Sequence, residues 1–397
     1  MPQEIHYKDY PILLALIKKP MGTAEEITRE ANAVLEKQGD ESIKLTENTV
    51  ARRLKKLFES NAIYGARAFI NHEILGLQLY FFLIHLNEVN WEKNAQIVIQ
   101  FCDNHPYTSF RDRVFGGSLN GIMAYFMLPT DSEALGHLLQ CFEMLREKKI
   151  ITSYTRYQIK HRFRNEANLE RFDLNSNQWS IDYEAIDAEF RKDLQVSKKQ
   201  ETFESILPKL DAFDMALIRE MTRNSRRPQK QILQEIMDPK HNVGADYSQE
   251  FRDHFRDTPQ TISRRLKDLE TLGVFEGYQL SYYVEDFGMF NSVLYIADRD
   301  PQKETALISS MKNSQLPFPS RISTSSDKLI FWMDLPSSHL PRLTNFLMGK
   351  FQNLQFFLFG KDVMSYYFWH ENYEIPTKSW KVSKEWIIDS PFQEINL

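Results

Sequence analysis

The chain has 397 residues, of which 42% are hydrophobic and 26% are charged, and its formal net charge at pH 7 is −5. This composition excludes a largely disordered chain, and the acidic charge argues against a protein that coats nucleic acid indiscriminately. The longest apolar run, residues 79–84, is far too short to cross a bilayer, and the first residues have no signal-peptide pattern. We therefore expect a cytoplasmic protein of several domains that makes no membrane contact.

The first part of the chain has the pattern of three helices followed by a strand. Apolar residues recur at helical spacing in residues 9–19, and a second helix is predicted from Ala24. Thr46 is a residue type that caps helices, so a third helix is predicted to begin there, with an apolar stripe and a basic face. Residues 63–70 are then predicted to form a strand. This order of elements predicts a winged helix-turn-helix.

Residues 79–159 alternate strands and helices. Strands are predicted at residues 79–86 and 150–159 and on both sides of Gly116, and helices at residues 91–104 and 132–148. The order β-α-β-β-α-β predicts a ferredoxin-like sheet, which helices cover on one face only. Because residues 79–84 are apolar on both faces of their strand, we expect the second face to be buried against another sheet.

The second half of the chain repeats the first half. Thr258 begins a segment that matches the one at Thr46, and the separation of 212 positions holds without a gap to Gly76 and Gly288. A match at such a long separation indicates duplicated architecture. The same elements are therefore predicted again at residues 214–221 and 229–236, from Thr258, and at residues 292–297, 302–312, 320–324, 328–335, 340–351 and 355–369.

The repeat predicts an α+β fold with two tandem units, each a winged helix-turn-helix followed by a ferredoxin-like βαββαβ domain. The predicted domains are residues 1–71 and 72–159, a tail and linker at 160–208, residues 209–290 and 291–369, and a second tail at 370–397. The tails match through Trp179 and Trp380, and each is expected to pack as an arm on its own sheet. The ferredoxin-like sheets are expected to pair within one chain, between two chains, or both.

Basic residues are concentrated on the third helix of each unit. The sequence Arg-Arg-Leu-Lys recurs at residues 52–55 and 264–267, each time beside an apolar stripe. Amide and guanidinium groups can read base edges in the major groove, and hydroxyl and basic groups can contact phosphates. The predicted contacts to double-stranded DNA are Thr46, Asn48, Thr49, Arg52, Arg53, Lys55, Lys56, Thr258, Gln260, Thr261, Ser263, Arg264, Arg265 and Lys267. The alternative interpretation is a solvated basic face on a fold that is used for protein contacts.

A family pattern runs through residues 210–218, residues 262–278 and Phe287-Gly in the second unit, and more loosely through residues 49–57 in the first. These segments closely resemble the leucine-responsive regulatory (Lrp/AsnC) transcription regulators. The resemblance implies a sequence-specific DNA-binding regulator whose ferredoxin-like domain dimerises and often binds an amino-acid-like effector. In the family's effector loop a Gly is followed shortly by an Asp, so the candidate effector residues are Gly117, Asn120 and Asp327. The first copy has Asn in the acidic place, and the second copy lacks the Gly.

Two other functions are compatible with tandem units. One is a siroheme decarboxylase-like enzyme, since that family resembles two such units, sometimes fused. The regions that match its His/Tyr/Arg-rich stretch are residues 105–115 and 319–324, and neither carries the family's signature. The other is an architectural or partner-binding protein without strong sequence specificity. Our prediction is a transcription regulator that is not an enzyme, with no catalytic residue, no cofactor and no metal site.

Overall fold

The computed structural model describes residues 8–39, 44–117, 119–130, 132–192, 204–237 and 258–395. The predicted fold class is confirmed, because two tandem units each join a winged helix-turn-helix to a ferredoxin-like sheet. Residues 193–203 of the predicted linker lie outside the described residues. Across the described ranges, no helix combines the length and the apolar composition that a bilayer span needs.

The first winged helix-turn-helix consists of α1 (Tyr10–Lys18), α2 (Ala24–Lys37), α3 (Glu47–Glu59) and the wing strand β1 (Ile63–Ile70). A capping box begins α2, where Thr23 and Glu26 exchange side-chain and backbone hydrogen bonds. Thr46 caps α3 as predicted, since its hydroxyl accepts a hydrogen bond from the backbone N–H of Thr49. The apolar stripe of α3 is buried in the same core as α1 and α2, so the basic residues of α3 face outward.

The first ferredoxin-like domain consists of β2 (Leu77–Leu86), α4 (Trp91–Asn104), β3 (Thr108–Gly116), β4 (Leu119–Pro129), α5 (Ala134–Glu147) and β5 (Ile151–Gln158). Its strands are antiparallel in the order β5-β2-β4-β3. The helices cover one face, where the rings of Phe82, Phe126 and Phe142 pack together. The chain continues through β6 (His161–Asn165), a hairpin of β7 (Phe172–Asp173) and β8 (Gln178–Trp179), and α6 (Tyr183–Arg191).

The second unit repeats this plan with α7 (Ala212–Asn224), α8 (Gln229–Met237), α9 (Pro259–Thr271), β9 (Phe275–Tyr282), β10 (Asn291–Asp298), α10 (Pro301–Lys312), β11 (Ser320–Thr324), β12 (Lys328–Leu335), α11 (Leu340–Met348) and β13 (Gln355–Phe359). The strand order β13-β10-β12-β11 is the same as in the first unit. The prediction of a single strand at residues 355–369 is wrong. It is divided into β13 and β14 (Met364–Ser365) by a turn in which Lys361 has a φ of 60°. A hairpin of β15 (Tyr373–Glu374) and β16 (Ser379–Trp380) follows.

The two units are joined by three sets of strand pairs. The ferredoxin-like sheets merge through β13 and β3 into one ten-stranded sheet. The wings pair with each other, because β1 and β9 form an antiparallel ribbon. Each unit also sends a strand to the other unit, since β6 pairs with β11 and β14 pairs with β3. The two halves are therefore interleaved within one chain.

The second faces of the two sheets form a shared core. Phe81 and Tyr125 from the first unit are buried in one cluster with Leu294, Ile330 and Phe357 from the second. The sheet pairing that the doubly apolar run at residues 79–84 predicts is thus found inside a single chain, whereas on β13 Phe356 and Leu358 stay exposed.

The tails do not pack on their own sheets, so that expectation is wrong. The indole Nε1 of Trp179 donates to the backbone carbonyl of Phe287, and Nε1 of Trp380 donates to the carbonyl of Leu75, both at 2.8 Å. Each tail leaves its own ferredoxin-like sheet along the crossing strand and packs against the sheet of the other unit, while it keeps contacts with the helices of its own unit. The physical reason is that a terminal strand of each sheet needs a partner, and the other unit's tail supplies it.

Candidate ligand-binding cavity

A cavity of about 440 Å³ lies between the paired wings and the joined sheet. Its walls come from both units, with β1 and β9 on one side and β3, β4, β6, β11 and β12 on the other. This volume is within the range of small-molecule sites. The exposed side chains of Tyr64 and Tyr367 line the cavity, so it opens to solvent beside them.

Cationic groups outnumber acidic ones in the cavity wall. The charged lining residues are Arg67, Arg162, Arg164, Arg321, Glu166 and Asp334. Three of the arginines lie on the two neighbouring strands β6 and β11. Because alternate residues of a strand point to the same face, Arg162 and Arg164 present their side chains to the same side of β6.

Arg164 lies directly opposite Arg321 in the pairing of β6 with β11. Like charges in this position destabilise an antiparallel pair. Burial, and then the neighbouring arginines, lower the pKa of the Arg164 guanidinium well below its usual range, and burial also lowers the pKa of Arg321. Nη1 of Arg164 is buried and has no hydrogen-bond partner among the described residues. The arrangement leaves positive charge that a bound anion would compensate.

A neutral histidine holds Arg162 in place. Nη2 of Arg162 is 2.7 Å from Nδ1 of His72 and 3.6 Å from Oε2 of Glu276. Burial and the adjacent arginines hold the pKa of His72 well below its usual range. The imidazole is therefore uncharged at neutral pH, and its Nδ1 accepts the hydrogen bond that Arg162 donates.

The two acids of the cavity have raised pKa values. Oε2 of Glu166 accepts a hydrogen bond from Nε2 of Gln279 at 2.5 Å, and Asp334 accepts one from the hydroxyl of Ser292. Burial raises the pKa of both carboxyl groups, although Arg321 opposes this shift in each case. Both acids therefore hold their protons to a higher pH than exposed carboxyl groups do.

Aromatic rings form an apolar wall beside the arginines. Phe110 stacks on Trp332 with ring centroids 5.1 Å apart, and Tyr125 meets the same indole edge-on at 5.8 Å. The guanidinium of Arg67 lies 5.5 Å from the centre of the Tyr367 ring. The arginines of β6 and β11 next to the Phe110–Trp332 surface can hold a planar anion on both its edge and its face.

The predicted DNA-binding residues lie on α3 and α9, outside the cavity wall. Their exposed amide and basic members are Asn48, Arg52, Lys55, Lys56, Gln260, Arg264 and Lys267. Two of the predicted phosphate contacts are instead in ion pairs within the fold. Arg53 binds Asp9 at 2.5 Å, and Arg265 binds Asp211 at 2.8 Å and Asp214 at 3.0 Å.

The remaining predicted contacts support the ends and packing of these helices. Thr46 and Thr258 immediately precede α3 and α9, and their hydroxyls meet those of Thr49 and Thr261. The hydroxyl of Ser263 exchanges hydrogen bonds with the amide of Gln229. DNA binding by this set of residues stays a prediction.

The candidate effector residues lie in or beside turns at strand ends and not in the cavity wall. Gly117 has a φ of +57° in the turn between β3 and β4, and Asn120 follows it opposite Phe115. Asp327 is exposed in the matching turn between β11 and β12, where it accepts hydrogen bonds from the hydroxyls of Ser325 and Ser326. Effector binding at these three positions also stays a prediction.

Sequence reasoning missed the arginines of β6. The segment His-Arg-Phe-Arg-Asn at residues 161–165 has the alternation of a strand with one basic face, and that was the available signal. Arg321, by contrast, lies in the segment 319–324 that was compared with the siroheme decarboxylase pattern. The two regions meet only because β6 crosses to the other unit.

No protein-family model matches the chain, and a comparison with curated proteins found no match. Among solved structures, the siroheme decarboxylase NirDL in complex with an iron-uroporphyrin III analogue is similar over 92% of this chain and 96% of its own, at 12% identity and a TM-score of 0.48. AsnC of E. coli is similar over 40% of this chain and 93% of its own, at 15% identity and a TM-score of 0.27. A transcriptional regulator of Neisseria meningitidis in complex with L-Met is similar over 39% and 89%, at 15% identity and a TM-score of 0.29. At these identities the similarity concerns the fold.

The prediction that the chain is not an enzyme is overturned by these comparisons, because the matches at 92% of the chain are to an enzyme. That prediction rested on the lack of a contiguous catalytic motif. The charged groups of the cavity come from strands that are far apart in the sequence, so no contiguous motif marks them. A role as a DNA-binding regulator is not confirmed, since the regulators above match about 40% of the chain.

Proposed function

We propose that the chain is an enzyme that binds a flat, carboxylate-bearing tetrapyrrole in the cavity between its two units and removes a carboxyl group as carbon dioxide. The observation that carries this proposal is the direct opposition of Arg164 and Arg321 across β6 and β11 inside the cavity. Two partly buried guanidinium groups in this arrangement destabilise the unliganded protein, and a polycarboxylate ligand reverses that effect.

The charges and aromatic rings of the cavity wall suit such a ligand. Guanidinium groups bind carboxylates through two parallel hydrogen bonds, and three of them lie on adjacent strands. The Phe110–Trp332 stack offers apolar surface beside them for a conjugated ring. The ligand of the siroheme decarboxylase named above, an iron-uroporphyrin III analogue, belongs to this chemical class, so siroheme is the first substrate to test.

Decarboxylation requires an anchored substrate and a source of one proton. The bond between the ring substituent and its carboxylate breaks, carbon dioxide leaves, and the electron pair stays on the substituent carbon. The conjugated ring delocalises that charge, and one proton then completes a methyl group. An arginine that pairs with a carboxylate stabilises it as the anion, so the carboxylates on Arg162, Arg164 and Arg321 are anchors and not the reacting group.

Glu166 and Asp334 are the candidate proton donors. They are the acids of the cavity wall, and both interact electrostatically with Arg321, which places them beside the anchoring groups. Burial raises the pKa of each carboxyl group, which favours the protonated form that a general acid needs. After each turnover, solvent at the open mouth of the cavity restores the proton.

The experiment is to incubate the purified chain with siroheme under reducing, oxygen-free conditions and to follow the product by mass spectrometry. We expect stepwise loss of carbon dioxide from the macrocycle. Arg321→Met should lower substrate affinity at least about tenfold, because a charged hydrogen-bonding partner of a carboxylate is lost. Arg156→Met removes an exposed arginine that lies outside the cavity wall and is the matched control. An intact substrate and no spectral change on mixing would refute the proposal.

A second candidate function is DNA binding, which the exposed Arg52, Lys55 and Lys56 on α3 favour. We expect Arg52→Ala to weaken binding to a selected duplex by about 1–3 kcal/mol if this helix enters the major groove. Arg53→Ala is the matched comparison, because Arg53 is paired with Asp9 and should affect stability more than affinity. Equal affinity of the wild type and Arg52→Ala for the selected duplex would exclude this function for α3.

A further inference from the structure

The two ends of the cavity are copies of each other. Trp179 and Trp380 match at a separation of 201 positions. At this separation Arg164 on β6 corresponds to Ser365 on β14. The pairing agrees with this correspondence, since Arg164 lies opposite Arg321 and Ser365 lies opposite Phe110. Arg321 therefore corresponds to Phe110.

The same relationship extends to the strands behind. Arg321 pairs with Trp332 on β12, and Phe110 pairs with Tyr125 on β4. Two residues further along those strands are Asp334 and Met127. The backbone N–H of Asp334 donates to the carbonyl of Pro319 at 3.1 Å, and that of Met127 donates to the carbonyl of Tyr107 at 2.9 Å. Because the two bonds lie at the same place in their sheets, Asp334 corresponds to Met127.

The wings complete the comparison. Glu166 corresponds to Tyr367 at the separation of 201, and Arg67 corresponds to Gln279 at the separation of 212 that relates the wings. Glu166 hydrogen-bonds Gln279, and Tyr367 packs against Arg67. One end of the cavity thus carries Arg164, Arg321, Glu166 and Asp334, and the corresponding positions at the other end carry Ser365, Phe110, Tyr367 and Met127. Duplication produced two similar ends. Both acids and three of the four arginines of the cavity wall lie at one of them, the ionic end, and Arg67 is the charged lining residue of the other, the apolar end.

We propose that the cavity has a single carboxylate-binding end, so that a tetrapyrrole binds in one orientation. The carboxylates of one edge of the ring lie against Arg162, Arg164 and Arg321. The opposite edge lies against Phe110 and Met127, apolar side chains that offer a carboxylate no hydrogen bond in return for its lost hydration. This inference rests on the proposed function, and it adds a rule of selectivity: the preferred ligand carries ionised groups on one edge and apolar groups on the edge that enters the other end.

Arg67 is the arginine at the apolar end and gives the sharpest control. Its guanidinium lies over the Tyr367 ring at 5.5 Å, and its partner in the wing ribbon is the neutral Gln279, whereas the strand partner of Arg164 is Arg321. If both ends bound carboxylates, removing Arg67 would weaken ligand binding as much as removing Arg164. If only the ionic end binds carboxylates, removing Arg164 weakens ligand binding and removing Arg67 does not.

The test uses metal-free mesoporphyrin, which carries its two propionates on one edge, and its dimethyl ester. Fluorescence titration of the full chain gives the affinity ratio of acid to ester. We expect the wild type to favour the acid at least about tenfold. Arg164→Met and Arg321→Met should each bring the ratio close to one, and Arg67→Met should leave it within about twofold of the wild type. Urea unfolding of each variant verifies that it is folded, and Arg321→Lys, which keeps the charge, should retain part of the preference.

The possible results separate this inference from the proposed function. A loss of preference in Arg67→Met equal to that in Arg164→Met would overturn the single-ended cavity while leaving tetrapyrrole binding intact. Binding of acid and ester with equal affinity by the wild type would overturn it as well. Failure of the wild type to bind either ring, or to alter siroheme, would count against the proposed function itself.

Discussion

Nε1 of Trp179 donates a 2.8 Å hydrogen bond to the carbonyl of Phe287, across the boundary between the two units. The indole is buried and packs against Phe172 and Phe318. Trp380 makes the corresponding bond to Leu75 in the opposite direction. Each unit is thus hydrogen-bonded to the other through an indole in its tail.

Trp179→Phe should lower the free energy of unfolding by about 1–3 kcal/mol, because the carbonyl of Phe287 then remains buried without a donor. Urea denaturation measures this change. Trp91→Phe is the matched control, since Trp91 is 40% exposed and should change stability by less than about 0.5 kcal/mol. Equal effects of the two substitutions would show that the hydrogen bond contributes nothing.

Arg164→Met should leave the unliganded protein as stable as the wild type or more stable, by up to about 2 kcal/mol. The substitution removes one of two partly buried like charges and keeps a side chain of similar length beside Phe69. Urea denaturation at low and high salt measures the effect, with Arg156→Met as the surface control. A loss of more than about 1 kcal/mol would mean that Arg164 supports the fold and not a ligand.

Asp112 should make stability fall as the pH rises. It is buried on β3, accepts a hydrogen bond from the backbone N–H of Asp362, and burial raises its pKa from 3.8 to about 6. Between these two values the folded chain binds more protons than the unfolded chain, so stability decreases with increasing pH and the penalty is complete above pH 6.

Replacing that carboxyl by an amide removes the penalty. Relative to the wild type, Asp112→Asn should therefore gain up to about 3 kcal/mol in unfolding free energy between pH 4 and pH 7. Denaturant titrations at both pH values give this difference. A constant difference between the two proteins across the range would contradict the raised pKa.

Glu166→Gln and Asp334→Asn should separate binding from turnover in the proposed reaction. Each substitution keeps a hydrogen-bonding group next to Gln279 or Ser292 but removes the proton donor. We expect the variant at the true donor to bind the tetrapyrrole within about threefold of the wild type and to lose at least about a hundredfold in kcat. The alkaline limb of the kcat profile should be absent in that variant. Full turnover in both variants would exclude a carboxylic acid of the cavity as the proton source.

Local patterns in the sequence predicted the elements and the fold. Thr46 marks the start of α3 because a hydroxyl at that place satisfies free backbone N–H groups, and this rule depends on nearby residues only. The repeat then predicted the same elements in the second unit, since Thr258 and the residues after it follow the same pattern. The basic face of α3 could also be predicted, because all of its residues lie on one helix.

The cavity could not be predicted in this way, because its groups belong to different elements. Arg164 and Arg321 meet only through the pairing of β6 with β11, and the alternation in residues 161–165 does not specify which sheet the strand joins. The tails were misassigned for the same reason. A strand that leaves the edge of one sheet has the same sequence pattern whether it returns to that sheet or completes another.

The exchange of β6 and β14 means that the peptide chain between residues 192 and 204 is not what holds the molecule together. A protease cut there would yield two fragments that remain associated, each completing the sheet of the other. Either fragment expressed alone would expose an unpaired sheet edge and aggregate. The single polypeptide thus behaves as an obligate pair of subunits whose covalent connection sets their ratio.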